Sequence, residues 1–213
     1  MVLGFDTSAS HCGAVLLYGD QVLAEFYENM TKGQAERLMP MLEECLTSGG
    51  VGWGDLDRIG VGIGPGNFTG IRISVSAARG LALALDIPAI GVSALEALAF
   101  GSSGVVISSL DARRGDIFMQ VFGNTERSEP ILTALMDLPS IPAGTIPTCI
   151  GFAAETIALS CAGAAAPAKY APASAIARIA AKRAVRPDAR PAPLYLRSAD
   201  AAPSKTAAPV LLS

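Results

Sequence analysis

Three short runs of this sequence place polar side chains where the chain changes direction. Asp6-Thr7-Ser8 follows the apolar run 2–5. A carboxylate followed by two hydroxyls could hold a hydrated Mg²⁺ and a phosphate. The same residue types also make the ordinary Asx and Ser/Thr turns that close hairpins. Gly64-Pro65-Gly66-Asn67-Phe68-Thr69-Gly70-Ile71-Arg72 sits between a strand pattern and a helix pattern. Its backbone N–H groups could cradle an anion at a helix N-terminus. It lacks the Gly-Lys-Ser/Thr ending of a phosphate loop, and its third glycine falls one place late for a dinucleotide fingerprint. The other reading is a tight turn that lets the helix pack closely on its sheet. Asp111-Ala112-Arg113 repeats the order strand, Asp, turn, strand in the second half. Two acidic strand ends suggest a duplicated fold with a cleft between its halves. Asp6, Thr7, Ser8, Gly64, Gly66 and Asp111 are therefore the candidate nucleotide or anion cleft.

Other chemistry is limited by the residues available. His11 is the one histidine, so zinc sites that need two are excluded. It falls in the first hairpin turn and is expected as a surface turn residue rather than a lone acid or base. No Gly-x-Ser-x-Gly elbow is present, and no nucleophile for a hydrolase can be nominated. Cys12, Cys45, Cys149 and Cys161 contain no Cys-x-x-Cys pair, so buried reduced thiols are expected rather than a metal or disulfide framework.

These residues must be positioned by regular elements. The apolar runs 2–5, 13–18 and 21–27, joined by turn residues, predict an antiparallel meander. Leu38, Met41, Leu42, Cys45 and Leu46 predict a helix from Gln34 to Leu46. Pro40 should kink it or split off its first turn. Residues 49–70 hold nine of the 22 glycines around a strand at 58–63, so that stretch must contain close turns. A helix is predicted over 71–85, a strand over 87–92, and a helix over 94–100 capped by Ser93 in a Ser-x-x-Glu box with Glu96. Gly101-Ser102-Ser103-Gly104 marks a boundary, giving a first lobe over 1–100 and a smaller one over 101–190. The segment 190–213 is expected to pack back on the first lobe or to fray. The second lobe should open with strands at 105–110 and 117–122, followed by short elements near 149–152 and 153–161 and a helix near 174–184.

The chain has 213 residues, 16 basic and 19 acidic, for a formal net charge of −3. About half the residues are hydrophobic, which excludes a wholly disordered chain. The acidic balance argues against a broad nucleic-acid-binding surface. Arg178, Lys182, Arg183, Arg186 and Arg190 form a modest basic face, read first as solvated and second as a contact for an anionic partner such as RNA. Asp6 interrupts the N-terminal apolar run, so no signal peptide is expected, and charges or prolines interrupt the other apolar runs, so no membrane span is expected. A cytoplasmic location follows as the expectation.

Phe5-Asp6-Thr7-Ser8, the Gly64–Arg72 run, Asp111-Ala112-Arg113-Arg114-Gly115 and Pro193-Leu194-Tyr195-Leu196-Arg197 together resemble the TsaB family. The motifs follow that family's order and spacing over residues 2–197. The resemblance implies an α/β, two-lobed ASKHA architecture, the duplicated fold of actin, heat-shock chaperones and sugar kinases, with a reduced second lobe. It implies a non-catalytic subunit of the bacterial machinery that places threonylcarbamoyl on adenosine 37 of ANN-decoding tRNAs. Such proteins dimerise with TsaD, the transferase, and TsaE joins the pair; homodimers also form, and tRNA is met through the complex. TsaD-like proteins bind metal through two histidines on their first helix. The helix here begins Gln34-Ala35-Glu36-Arg37-Leu38-Met39, without one. No catalytic residue, metal or obligatory cofactor is expected, and ATP or ADP could bind weakly. The family's partner surface is built from the two helices of the first lobe. The stripes they offer are Leu38, Met41, Leu42 and Cys45 on the first, and Ser74, Ala78, Leu81, Ala82 and Leu85 on the second. Either stripe could instead face its own sheet. The alternative function is an independent ATP-dependent enzyme of the ASKHA class, such as a small kinase.

Overall fold

Short apolar runs with turn residues between them make the first three strands. In the computed structural model, which describes residues 1–123, 127–138, 145–185 and 190–197, these are β1 (Val2–Asp6), β2 (His11–Tyr18) and β3 (Gln21–Asn29). β1 pairs antiparallel with β2, and β2 with β3. Helix α1 (Gln34–Ser48) follows, and β4 (Arg58–Gly62) then lies parallel to β1. Helix α2 (Phe68–Leu85) leads to β5 (Ala89–Val92), parallel to β4. Helix α3 (Ala94–Ala99) closes this half.

The second half repeats the plan. β6 (Val106–Arg113), β7 (Asp116–Phe122) and β8 (Ile131–Ala134) are antiparallel in sequence. β9 (Thr148–Gly151) runs parallel to β6, and β10 (Ala164–Ala165) parallel to β9 across helix α4 (Ala154–Ser160). Helix α5 is Pro172–Lys182. The strand orders, β3-β2-β1-β4-β5 and β8-β7-β6-β9-β10, are the same plan twice.

The lobes exchange helices. α5, from the second half, packs on β1, β2 and β4 of the first sheet, while α3 packs on β6 and β7 of the second. Two glycines permit the first contact. A Cβ on Gly4 would stand 2.6 Å from the Ala177 methyl, and one on Gly60 2.8 Å from that of Ala180. On the other face of the first sheet, Leu3, Phe5, Leu16 and Val61 meet Leu38, Met41, Leu42 and Cys45 of α1.

Several local expectations are corrected. Pro40 neither splits nor ends α1, because it lies on the exposed face, where water can satisfy the carbonyl it leaves free. α2 begins three residues earlier than predicted, since Asn67 caps it by accepting the Gly70 N–H at 3.0 Å. Ser93 caps α3 through the Leu95 N–H, but Glu96 pairs with Arg183 instead of completing a box. α2 is also long and apolar enough, at a mean hydropathy of 1.2, to cross a membrane by length and composition alone. Only Arg72 and Arg79 are charged within its 18 residues, too few to exclude it on that measure. It packs here on β4, β5 and α1.

Candidate functional site

Asp6 ends β1 and is 2% exposed. Its Oδ1 accepts the Ser8 N–H at 3.2 Å, and its Oδ2 accepts the Ser8 hydroxyl at 3.0 Å. His11 Nε2 lies 2.9 Å from the same Oδ2. The Thr7 hydroxyl donates to the Gly70 carbonyl at 2.7 Å. The turn reading thus describes what Asp6-Thr7-Ser8 does: all three side chains are committed to neighbours inside the chain. His11 is not a surface residue. β2 starts two residues earlier than its apolar run, so His11 enters the strand, buried, with its ring stacked on Tyr27 at 5.2 Å between centroids.

The glycine run serves this turn. A Cβ on Gly66 would stand 2.2 Å from the Ser8 carbonyl oxygen, and one on Gly70 1.9 Å from that of Thr7. A Cβ on Gly62 would stand 1.9 Å from Asp6 Oδ1. The Asn67 N–H donates to the Ser8 carbonyl at 2.6 Å, and the Gly70 N–H is taken by the Asn67 cap. Two of the donors expected for an anion cradle are therefore spent within the chain. Close packing of α2 on the sheet is the reading that the loop's geometry fits.

Between the lobes lies a cleft of about 820 Å³. Asp6, Ser8 and Gly66 line it from the first lobe, and Asp111 and Arg113 from the second. Thr7 and Gly64 are not among its lining residues. Asp111 sits within β6 rather than in the turn after it, exposed, and its Oδ1 accepts the Arg113 N–H at 2.7 Å. Across the cleft runs a strap that the motif Pro193–Arg197 signals without revealing its role. The Leu194 N–H donates to the Ile63 carbonyl at 2.8 Å. Tyr195 stacks on Phe68 at 4.9 Å, and its hydroxyl accepts from Arg72 Nε at 2.9 Å. Arg197 reaches Asp116 of β7 in an ion pair.

The two predicted partner stripes separate by burial. Leu38, Met41, Leu42 and Cys45 are all 1% exposed or less, and Ser74 and Ala78 are fully buried. These six belong to the chain's own core, because α1 and α2 must each turn one face to the sheet. Leu81, Ala82 and Leu85 are half-buried against the edge of that core. The surface α2 offers outward is Arg72, Ser76, Arg79, Gly80, Leu83 and Ala84, a face that the sequence reading missed. The basic face is largely engaged: Arg178 donates to the Asp20 carbonyl, Lys182 lies 4.0 Å from the Asp20 carboxylate, and Arg183 donates to the Gly91 carbonyl. Arg186 lies outside the described residues. Burial pushes the thiols of Cys12 and Cys45 up to about 11 and about 12.

Twin sheets of one strand order, exchanged helices and a cleft with an acidic residue from each half define the two-lobed ASKHA class. The TsaD family, described as tRNA N6-adenosine threonylcarbamoyltransferase, matches residues 21–136, and the chain belongs to that family. It is 34% identical over 130 residues to the tRNA threonylcarbamoyladenosine biosynthesis protein TsaB of Escherichia coli K12, covering 59% of this chain and 56% of that one. The chain thus spans about half the length of the curated TsaB relatives it matches. An uncharacterised protein of Mycobacterium tuberculosis H37Rv is 33% identical over 205 residues, covering 95% of this chain and 94% of the other. Among solved structures, YeaZ from Pseudomonas aeruginosa superposes with a TM-score of 0.71 at 25% identity, covering 84% of this chain and 90% of that one.

Proposed function

We propose that this chain is a non-catalytic scaffold subunit that activates a TsaD-type transferase by pairing with it. The pair would add threonylcarbamoyl to adenosine 37 of ANN-decoding tRNAs in the cytoplasm, with TsaE joining and tRNA met through the complex. The observation that carries this reading is the outward face of α2, a helix only 28% buried as a whole although its composition is that of an apolar span. Leu83 stands 83% exposed there, beside Gly80 and Ala84, whose small size permits close approach of another helix. The biosynthetic name of the TsaB relatives supports the pathway. The single histidine, held against Asp6 in the interior, supports a subunit without the two-histidine metal site of the transferase.

The experiment is threonylcarbamoyl transfer to tRNA by TsaD, with the activated intermediate supplied, with and without this chain. Leu83→Glu is the probe. It should leave the monomer as stable as the parent, within about 0.5 kcal/mol, because the side chain is solvated. It should abolish both co-elution with TsaD and stimulation of transfer. Stimulation undiminished by Leu83→Glu would sink the α2 interface. The alternative, an ATP-dependent ASKHA enzyme, is favoured by the cleft that Asp6 and Asp111 both line. It predicts ATP turnover by the chain alone, whereas the scaffold reading requires no cofactor and allows at most weak ATP or ADP binding.

A further inference from the structure

Cys149 and Cys161 stand 12 positions apart in the chain, and their sulfurs lie 3.8 Å from each other. Cys149 is fixed within β9, fully buried between its neighbours in the second sheet. Cys161 follows the last residue of α4, is partly exposed, and precedes Ala162, whose φ of 52° turns the chain toward β10. The other two thiols, Cys12 and Cys45, are buried in the first lobe, where the Cys45 thiol donates to the Ala24 carbonyl at 3.7 Å.

We infer that Cys149 and Cys161 are a redox-sensitive pair that closes to an intramolecular disulfide when a hydroperoxide oxidises the folded protein. The sulfurs need to approach by only about 1.8 Å to reach bonding distance. Cys161, partly exposed at the end of a seven-residue helix, is the sulfur placed to make that movement, since Cys149 is buried within its strand. Exposure makes Cys161 the first sulfur to react. Its thiolate attacks a peroxide oxygen, the O–O bond breaks, and the departing hydroxide takes up the thiol's proton as water. Cys161 is then a sulfenic acid. The Cys149 sulfur attacks the Cys161 sulfur, the S–O bond breaks, and the second hydroxide leaves as water with the Cys149 proton. Two thiols and one hydrogen peroxide thus give one disulfide and two waters. Burial, with the neighbouring Cys161 thiol, holds Cys149 up to about 12, so it stays protonated and leaves the first step to Cys161. The bond would tie β9 to the end of α4 and restrain the edge of the second sheet.

The test uses the full chain, folded, with hydrogen peroxide as the probe. Intact mass should fall by about 2 Da, the two thiol hydrogens. Peptide mapping after alkylation should join Cys149 to Cys161, leave Cys12 and Cys45 unlinked, and revert with a dithiol reductant. Cys161→Ala, a change at a partly exposed helix end, should lose both the mass change and the link. Unchanged mass, further oxidation of Cys161 to a sulfinic acid without a link, or a bond between two chains would each overturn the inference.

Discussion

Replacing Gly70 with alanine and Gly80 with alanine should move stability in opposite directions. Both residues lie in α2, so intrinsic helix preference favours alanine at each, by up to about 1 kcal/mol in a helix interior. Nothing stands within 4 Å of a Cβ placed on Gly80. A Cβ on Gly70 meets the Thr7 carbonyl oxygen at 1.9 Å and the Thr7 carbonyl carbon at 3.0 Å, where ordinary contact begins at 3.4 Å. That obstacle is backbone, held by the β1–β2 turn and by the Thr7 hydroxyl bond to Gly70 itself. Relief requires α2 to back away from the turn by more than an ångström, an overpacking cost of about 1–3 kcal/mol or more. The net expectation is a loss of about 2 kcal/mol for Gly70→Ala and a gain of about 1 kcal/mol for Gly80→Ala. At roughly 2–4 °C per kcal/mol for a chain of this size, Gly70→Ala should melt about 4–8 °C lower and Gly80→Ala about 2–4 °C higher. Thermal and urea unfolding, each at two protein concentrations to separate folding from self-association, provide the assay. A Gly70→Ala protein that melts at or above the parent would refute the close-approach account of the glycine run.

Asp6→Ala should destabilise by about 3 kcal/mol, because it strands His11 and the Ser8 hydroxyl in the interior, and Asp6→Asn should recover part of the loss; urea titration measures both. Hydrogen bonds from Arg37 hold the Glu28 and Glu44 carboxyls below their ordinary values. A depressed folded value contributes stability that is present above the unfolded value of 4.5 and is lost as pH falls through the folded one. Arg37→Ala should therefore be less stable than the parent at neutral pH and low salt. The two should converge in acid and in high salt, as unfolding curves across pH would report. Cys12 and Cys45, with thiols raised by burial, should resist alkylation near pH 8 until denaturant is added, while Cys161 reacts in the folded chain; mass spectrometry after timed quenching distinguishes them.

The fold was legible wherever one local signal decided an element. The meander needed only apolar runs and turn residues, and the duplicated plan was foreshadowed by Asp6, which ends β1, and Asp111, close to the end of β6. The start of α2 was misplaced because Phe68-Thr69-Gly70 looks like loop by composition, while the deciding bond is one Asn67 side chain on the Gly70 N–H. The strands β8 and β10 were missed because four and two residues carry too little periodicity. At the site, residue types were readable but not directions. A helix with an apolar stripe on α1 and a small-residue stripe on α2 gives no sign of which face meets the sheet. Burial assigns the Leu38 stripe and the Ser74–Ala78 edge to the core and leaves Leu83 outside. His11 was misjudged because strand register, not residue type, carries it inward to Asp6. The strap from Leu194 to Arg197 joins positions more than 80 residues apart, a pairing no local pattern encodes.

The exchange of α3 and α5 between the lobes also sets an order in time. A ribosome delivers β1, β2, β4 and β5 long before it delivers α5. Until residues 172–182 emerge, Val2, Val15, Leu17 and Ile90 on the α5 side of the first sheet have no helix to cover them. Gly4 and Gly60, shaped for the methyls of Ala177 and Ala180, likewise wait for a segment more than a hundred residues downstream. Contacts so distant in sequence slow the closing of the nucleus and lengthen the interval in which a sticky half-domain is exposed. The α5 face of the first sheet is therefore closed only after residues 172–182 have been made.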